Sequence, residues 1–147
     1  MRYLHRVLLC LAAILVVSGC RSATADPPNP AQVKLGEAFT LGLGQDATIA
    51  GEPLRVKFDQ VLEDSRCPRK VSCVWTGEAR LRVLVDAMDG HAPTAVEFNT
   101  NPAPGQTRLE AKTGPFTIRL LSLDPYPETP EAIPSSEYRA VLRVVKD

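Results

Sequence analysis

The chain has 147 residues, enough for one domain with its own hydrophobic core. Its 17 Lys and Arg residues are balanced by 17 Asp and Glu residues. A protein that binds nucleic acid usually carries an excess of basic side chains along one face, so this balance argues against a nucleic-acid partner.

The first 19 residues have the three-part layout of a secretory signal peptide. Arg2, His5 and Arg6 form a short basic segment, and Val7–Val17 is an uninterrupted apolar run of eleven residues. Eleven residues rise only about 16 Å as a helix, roughly half the thickness of the hydrocarbon core of a bilayer. The run is too short to remain as a membrane span, so we predict that residues 1–19 are a signal peptide.

Small residues lead from the apolar run into a single cysteine, in the tetrapeptide Val17-Ser18-Gly19-Cys20. This tetrapeptide resembles the lipobox of bacterial lipoproteins. The resemblance implies cleavage before Cys20, a diacylglycerol on its thiol and a fatty acid, such as palmitate, on its new amine. Arg21 follows, where lipoproteins retained in the inner membrane of two-membrane bacteria commonly carry Asp. The same resemblance therefore favours the outer membrane.

The mature chain is predicted to begin with a tether at residues 20–32. After Cys20 the sequence is small, polar and rich in proline, without apolar periodicity. Twelve such residues extend to about 40 Å at most, enough to hold a domain clear of the lipid headgroups. Loss of Arg2 and Arg6 with the signal leaves a net charge of about −2. We therefore expect membrane attachment through the acyl chains and not through basic side chains.

From residue 33 onward the apolar side chains recur with a period of two, which is typical of half-buried β-strands. The clearest alternation predicts strands around residues 54–58, 79–87, 116–120 and 138–144. Shorter strands are predicted at 38–43, 47–49, 71–75, 94–99 and 107–111. No stretch of ten or more residues in this part of the sequence has a convincing helical apolar face.

Turn signals between these strands favour a single all-β domain at residues 33–147. Asp89-Gly90 and Pro102–Gly105 are typical of tight turns. Short strands at this spacing predict an antiparallel β-sandwich of immunoglobulin-like character, and a small closed β-barrel is the alternative. The proline-rich segment Leu123–Glu137 cannot donate a full ladder of hydrogen bonds. We expect this segment to cross between sheets or to cover a sheet edge.

Two cysteines of the mature domain, Cys67 and Cys73, are predicted to form a disulfide. Cys10 leaves with the signal and Cys20 carries the lipid, so an even pair remains in an exported, oxidising setting. Five residues lie between the two cysteines, and Pro68 favours the turn that brings their Cα atoms together. Closing so short a loop is worth about 2 kcal/mol in the chain-entropy description.

A longer pattern surrounds this pair. It reads Arg-Cys-Pro, five residues between the cysteines and then Val-Trp-x-Gly-Glu-Ala, followed later by Leu-Asp-Pro-Tyr-Pro at 123–127 and by the closing segment 138–144. The pattern resembles that of a group of small uncharacterised bacterial envelope lipoproteins, and the resemblance covers most of residues 37–146. It implies no activity, because none is assigned to that group.

Two interpretations of the segment Glu63–Ala79 carry most weight. In the first, the disulfide pins the connection between two strands, and Trp75 is buried over it in the core, as in many β-sandwiches. In the second, Arg66, Arg69 and Lys70 lie on a rigid basic loop that binds a carboxylate, a phosphate or an acidic protein surface. A special case is a protease-inhibitor-like loop that presents Arg69 or Lys70 to an enzyme pocket.

Redox, metal and hydrolytic chemistry have weaker support in the sequence. A thiol–disulfide redox protein would use Cys67 and Cys73, but redox motifs usually place the cysteines closer together, at the start of a helix. A tetrahedral metal site needs three or four ligands, and the mature chain has one histidine, His91, in a predicted turn. The sequence contains neither a Gly-x-Ser-x-Gly nor a His-Glu-x-x-His motif.

Two pairs of neighbouring carboxylates, Glu63 with Asp64 and Glu128 with Glu131, are expected to lie solvated in loops, where acid–base catalysis is disfavoured. The sequence therefore favours a non-catalytic, lipid-anchored binding or structural module that faces the periplasm or the cell exterior. We expect no metal and no cofactor beyond the covalent lipid on Cys20. The expected partners are the membrane, reached through the lipid, and an anionic ligand or an envelope protein.

Overall fold

The computed structural model describes residues 31–101 and 109–147, and strands hold 52% of them, which confirms the all-β class. The predicted signal peptide, Cys20, most of the predicted tether and the predicted turn at Pro102–Gly105 lie outside these residues. Within the described ranges the helical structure is a short 3-10 turn, Ser135–Glu137. No helix there has the length and apolar character needed to cross a membrane.

The described residues form nine strands in two sheets. In chain order the strands are β1 (Ala31–Val33), β2 (Ala38–Gly42), β3 (Asp46–Ile49), β4 (Arg55–Asp64), β5 (Ala79–Asp86), β6 (Thr94–Asn99), β7 (Glu110–Thr113), β8 (Phe116–Asp124) and β9 (Arg139–Lys146). The first sheet has the order β1-β3-β4-β5-β6 and the second has the order β2-β9-β8-β7. The sheets do not close into a barrel, so the closed-barrel alternative is wrong.

Most of the predicted strands are present, and the differences arise where pairing overrides local pattern. β1 begins at Ala31, before the predicted start of the domain, because it pairs in parallel with β3. The other strand pairs are antiparallel, as predicted. The predicted strand at 71–75 is wrong, since these residues form bends and irregular backbone within a loop. The last short prediction, at 107–111, corresponds to β7.

Apolar side chains from both sheets belong to one buried cluster. β5 illustrates the pattern, because its burial alternates strictly from Ala79 to Asp86. Phe58 and Leu81 contribute from the first sheet, and Ile118 contributes from the second, all fully buried. A core that is continuous between the sheets gives the surrounding loops a rigid support.

Two irregularities in β4 place a carboxylate on the core side of the first sheet. The register of β4 against β5 shifts between Phe58 and Gln60 and again between Val61 and Glu63. After the second shift Asp64 lies opposite Ala79, whose side chain is fully buried. The bulges therefore turn Asp64 towards the interior at the point where β4 ends.

Candidate functional site

The connection between β4 and β5, residues 65–78, is a narrow hairpin closed by a disulfide. Cys67 and Cys73 are bonded, with their Cα atoms 5.9 Å apart, which confirms the predicted pair. Below the disulfide, the Ser65 N–H donates to the Glu78 carbonyl at 2.8 Å, and the Cys67 N–H donates to the Thr76 carbonyl at 3.0 Å. We call residues 67–75 the tip. It stands on a continuation of the β4–β5 ladder.

Gly77 allows the two sides of the hairpin to approach this closely. Its φ angle is +65°, in the left-handed region, and a Cβ atom at this position would overlap the Ser65 carbonyl oxygen. An L-residue with a side chain would have to adopt a disfavoured backbone conformation and also push the opposite strand away. The glycine therefore sets the width of the hairpin just beneath the disulfide.

The proline-rich segment supports the tip from the side. The Arg69 N–H donates to the Pro127 carbonyl at 3.1 Å, and the Lys70 N–H donates to the Glu128 carbonyl at 3.0 Å. Of the two alternatives expected for this segment, the crossing between sheets is wrong, because β8 and β9, which it joins, are neighbours in the same sheet. The segment instead extends from the second sheet to the hairpin of the first.

Arg66 is a buried structural residue and not an exposed binding residue. It is only 6% exposed. Its Nε and Nη2 atoms donate to the two carboxylate oxygens of Asp64 at 2.8 and 2.7 Å. Its Nη1 atom donates to the Leu123 carbonyl at 2.6 Å, and Nη2 also donates to the Pro125 carbonyl at 2.9 Å. The guanidinium thus joins the end of β4 to the end of β8, which corrects its expected place in the basic loop.

Tyr138 completes this buried group, and we call Asp64, Arg66 and Tyr138 the base of the hairpin. The Tyr138 hydroxyl donates to the Asp64 carboxylate at 2.9 Å. Burial opposes ionisation of Asp64, but hydrogen bonds from Arg66 and Tyr138 outweigh it and hold the pKa of Asp64 below its usual range. Burial, followed by the hydrogen bond to Asp64, raises the pKa of Tyr138 to about 12.

The three residues of the base therefore stabilise the fold and do not act as an acid or a base near neutral pH. Near neutral pH Asp64 is ionised and Tyr138 is protonated, so neither is poised to exchange a proton there. The expectation that Glu63 and Asp64 lie solvated in a loop is wrong, because both belong to β4. Glu63 accepts a hydrogen bond from Arg80 of the neighbouring strand at 3.0 Å.

The tip exposes large apolar side chains. Trp75 is 82% exposed and Val74 is 91% exposed, with Val71 less so at 40%. The prediction that Trp75 is buried over the disulfide is therefore wrong. Large apolar side chains such as tryptophan are usually buried, so this degree of exposure on a disulfide-closed loop is unusual.

The two remaining predicted binding residues flank these apolar side chains. The Arg69 side chain is 65% exposed, lies 3.4 Å from Glu128 and places its guanidinium 5.2 Å from the centre of the Tyr126 ring. Lys70 is exposed at the neighbouring position. The Arg66 guanidinium also lies 5.2 Å from the centre of the Tyr126 ring, so Arg66 and Arg69 pack against the same ring. The two differ in exposure, since Arg66 is buried whereas Arg69 and Lys70 are exposed in the same loop as Val74 and Trp75.

The remaining sequence candidates do not form a second site. His91 is exposed in the connection between β5 and β6, as predicted. Within the part of the chain that the structure describes, no three His, Cys, Asp or Glu side chains are grouped closely enough to hold a metal ion. The chain matches no protein-family model, curated protein or solved structure.

Proposed function

We propose that the protein is an exported, lipid-anchored envelope protein without catalysis of its own, and that its domain presents the tip as a contact surface. One observation carries this proposal. Val74 and Trp75 are 91% and 82% exposed on a loop that is closed by a disulfide and donates two backbone hydrogen bonds to carbonyls of the proline-rich segment. A rigid loop loses little conformational entropy on binding, so exposed apolar area on it favours contact.

The scaffold that we propose is a β-sandwich of immunoglobulin-like character. Its support is the single buried cluster to which both sheets contribute, together with strand pairing that is antiparallel apart from β1 and β3. In such a domain the loops at the two ends are free to contact partners while the sheets hold them in place. The hairpin extends from one of these ends.

The proposed anchor rests on Val17-Ser18-Gly19-Cys20 and on the basic and apolar segments before it. Arg21 supports placement in the outer membrane of a cell with two membranes. Replacing Cys20→Ala removes the thiol that would carry the diacylglycerol, so we expect the variant to leave the membrane fraction. The unchanged chain should remain there and carry the mass of the acyl groups at its first residue. Retention of the variant in the membrane fraction would contradict the anchor.

The contact surface is tested separately, by in-cell photocrosslinking. A photoreactive amino acid in place of Val74 reports what touches the tip, and the same group in place of Met88 serves as a matched control. Met88 is 55% exposed in the connection between β5 and β6, away from the hairpin. We expect adducts from the tip position and few from the control. Equal yields from the two positions would contradict a contact role for the tip.

A further inference from the structure

We infer that the tip contacts the lipid surface itself: Trp75 and Val74 insert into the interfacial region of the membrane that holds the anchor, with Arg69 and Lys70 at the headgroups. This inference rests on the lipid anchor proposed above. The partner of the tip is then a membrane that contains anionic phospholipid. Strand direction, the reach of the chain and the side-chain chemistry of the tip support it independently.

Strand direction turns the first residue of β1 towards the hairpin end of the sheet. β4 runs towards the hairpin, β3 is antiparallel to β4, and β1 is parallel to β3. β1 therefore runs away from the hairpin, and its N-terminal end faces the hairpin, although Ala31 itself lies level with Val56 near the opposite end of the sheet. The connection between β5 and β6 lies at the other end, because Asp86, where β5 ends, is opposite Arg55, where β4 begins.

The number of residues before β1 allows the tip to reach the bilayer. Ala31 is in register with Ala47, Ala47 with Val56 and Val56 with Val85, so the start of β1 lies ten residues from Trp75 when counted along the β5 side of the hairpin. Ten residues of strand span about 33 Å. The eleven steps from Cys20 to Ala31 can extend to about 40 Å at most, which exceeds that distance. A lipid on Cys20 and the tip can therefore meet the same surface.

The side chains of the tip suit a membrane interface. Tryptophan favours this zone because its ring is largely apolar and its indole N–H still finds polar partners. Val71 and Val74 add apolar area, and the sequence from Arg66 to Gly77 contains no acidic residue. Arg69 and Lys70 add attraction to anionic headgroups. Because Glu128 lies 3.4 Å from Arg69, we expect the apolar contribution to exceed the electrostatic one.

Contact of the tip with lipid would set the orientation of the domain relative to the membrane. A chain with several acyl groups on Cys20 is already held firmly, so the tip is not needed for attachment. A lipid on Cys20 alone does not determine which face of the domain meets the bilayer. A second contact at the tip would hold the hairpin against the bilayer and direct the β5–β6 end, with Met88 and His91, away from it.

The experiment uses Trp75 as the reporter, because it is the only tryptophan in the chain. The full lipidated chain is reconstituted in vesicles of phosphatidylethanolamine and phosphatidylglycerol, with and without bromine on the acyl chains near the headgroup. We expect Trp75 emission to move to shorter wavelength relative to the Cys20→Ala chain in buffer. We also expect brominated lipid to quench it and acrylamide to quench it less.

A pair of charge-inserting variants separates tip insertion from general proximity to the bilayer. Val74→Asp places a carboxylate beside the reporter, so we expect Trp75 to return to the emission and acrylamide quenching of the free chain. Met88→Asp makes the same kind of change at the far end and should leave the vesicle signal as in the unchanged chain. Both side chains are exposed, so neither change disturbs the core.

The outcomes separate this inference from the proposed function. If the lipidated chain floats with the vesicles while Trp75 emission is the same as in buffer, the anchor stands and lipid contact by the tip is overturned. The crosslinked partner of the tip would then be sought among envelope proteins. If the purified chain carries no acyl groups and does not float with the vesicles, the proposed anchor fails, and the inference fails with it.

Discussion

The base and the tip of the same hairpin use similar residues in opposite ways. Arg66 is 6% exposed and donates hydrogen bonds to Asp64 and to two backbone carbonyls, whereas the side chain of Arg69, three positions later, is 65% exposed. Tyr138 is buried at the base, and Trp75 is open to solvent at the tip. The comparison teaches that the base fixes the hairpin to both sheets, which leaves the tip free for contact.

The largest expected effect comes from breaking the base. Asp64→Ala leaves the Arg66 guanidinium buried without its counter-charge and removes the acceptor of the Tyr138 hydroxyl. We expect a loss of about 3 kcal/mol in the free energy of unfolding, measured by urea denaturation. Glu128→Ala, which breaks the exposed pair with Arg69, is the control and should cost less than about 1 kcal/mol. Equal losses in the two variants would show that the base is not a buried ion pair.

The second largest loss of stability is expected when the hairpin is forced to widen at Gly77. Gly77→Ala introduces a Cβ atom against the Ser65 carbonyl and strains a φ of +65°, so we expect it to cost about 2 to 3 kcal/mol. Gly90→Ala is a matched control, since Gly90 also has a positive φ, of +87°, but no atom within 4 Å of its added Cβ. The control should cost about 1 kcal/mol. Thermal unfolding of both variants measures the difference, and similar losses would contradict close approach at Gly77.

The disulfide is expected to stabilise the tip in the same way that the ion pair stabilises the base. Replacing both cysteines, Cys67→Ser and Cys73→Ser, should lower the free energy of unfolding by about 2 kcal/mol and make trypsin cleavage after Arg69 or Lys70 faster. The alternative of a thiol–disulfide redox protein predicts another result. Its bond would be reduced readily, at a potential well above the −300 mV or so that marks structural disulfides, and its loss would leave unfolding unchanged.

The smallest effect is the hydroxyl of Tyr138. Tyr138→Phe removes one hydrogen bond to Asp64 and should cost about 1 kcal/mol at neutral pH. The pKa of Tyr138 in the folded chain is raised to about 12, so its contribution is complete below the unfolded pKa of about 10 and is lost as pH rises towards 12. The variant should lack this alkaline loss in urea titrations.

The free energy of unfolding should also fall at acid pH, which we call the acid limb, and this second limb provides a check on the first. Because the pKa of Asp64 is lowered in the folded state, its contribution is present above the unfolded pKa of about 3.9 and is lost as pH falls through the lower folded value. Tyr126→Phe leaves the Asp64–Tyr138 hydrogen bond in place, so this control should retain both limbs. Loss of either limb in the control would assign the pH dependence to other groups.

The sequence predicts a strand correctly where apolar and polar residues alternate along that strand. In β5 the alternation from Ala79 to Asp86 matches the burial of every residue. β1 has three residues and no such signal, so its pairing with β3 could not be anticipated. The segment 71–75 contains valines and a tryptophan that favour strands by composition, yet the short disulfide loop bends the chain and exposes them.

The disulfide could be predicted because only two cysteines remained, but the base could not. Arg66 contacts carbonyls that are 57 and 59 residues away, and Tyr138 contacts Asp64 across 74 residues. Asp64 and Arg66 have opposite charges and are two positions apart, which is the only local signal of their ion pair. The burial of this ion pair depends on two bulges in β4, and no residue type in β4 predicts them.

The first experiment should measure how far Trp75 is exposed to solvent in the folded chain. Acrylamide quenching of the Cys20→Ala chain in buffer, before and after unfolding in urea, reports this exposure without interference from other tryptophans. An exposed tip predicts that quenching in the folded chain already approaches that of the unfolded chain. Strong protection in the folded chain, relieved by urea, would place Trp75 in the core and contradict the tip as a contact surface.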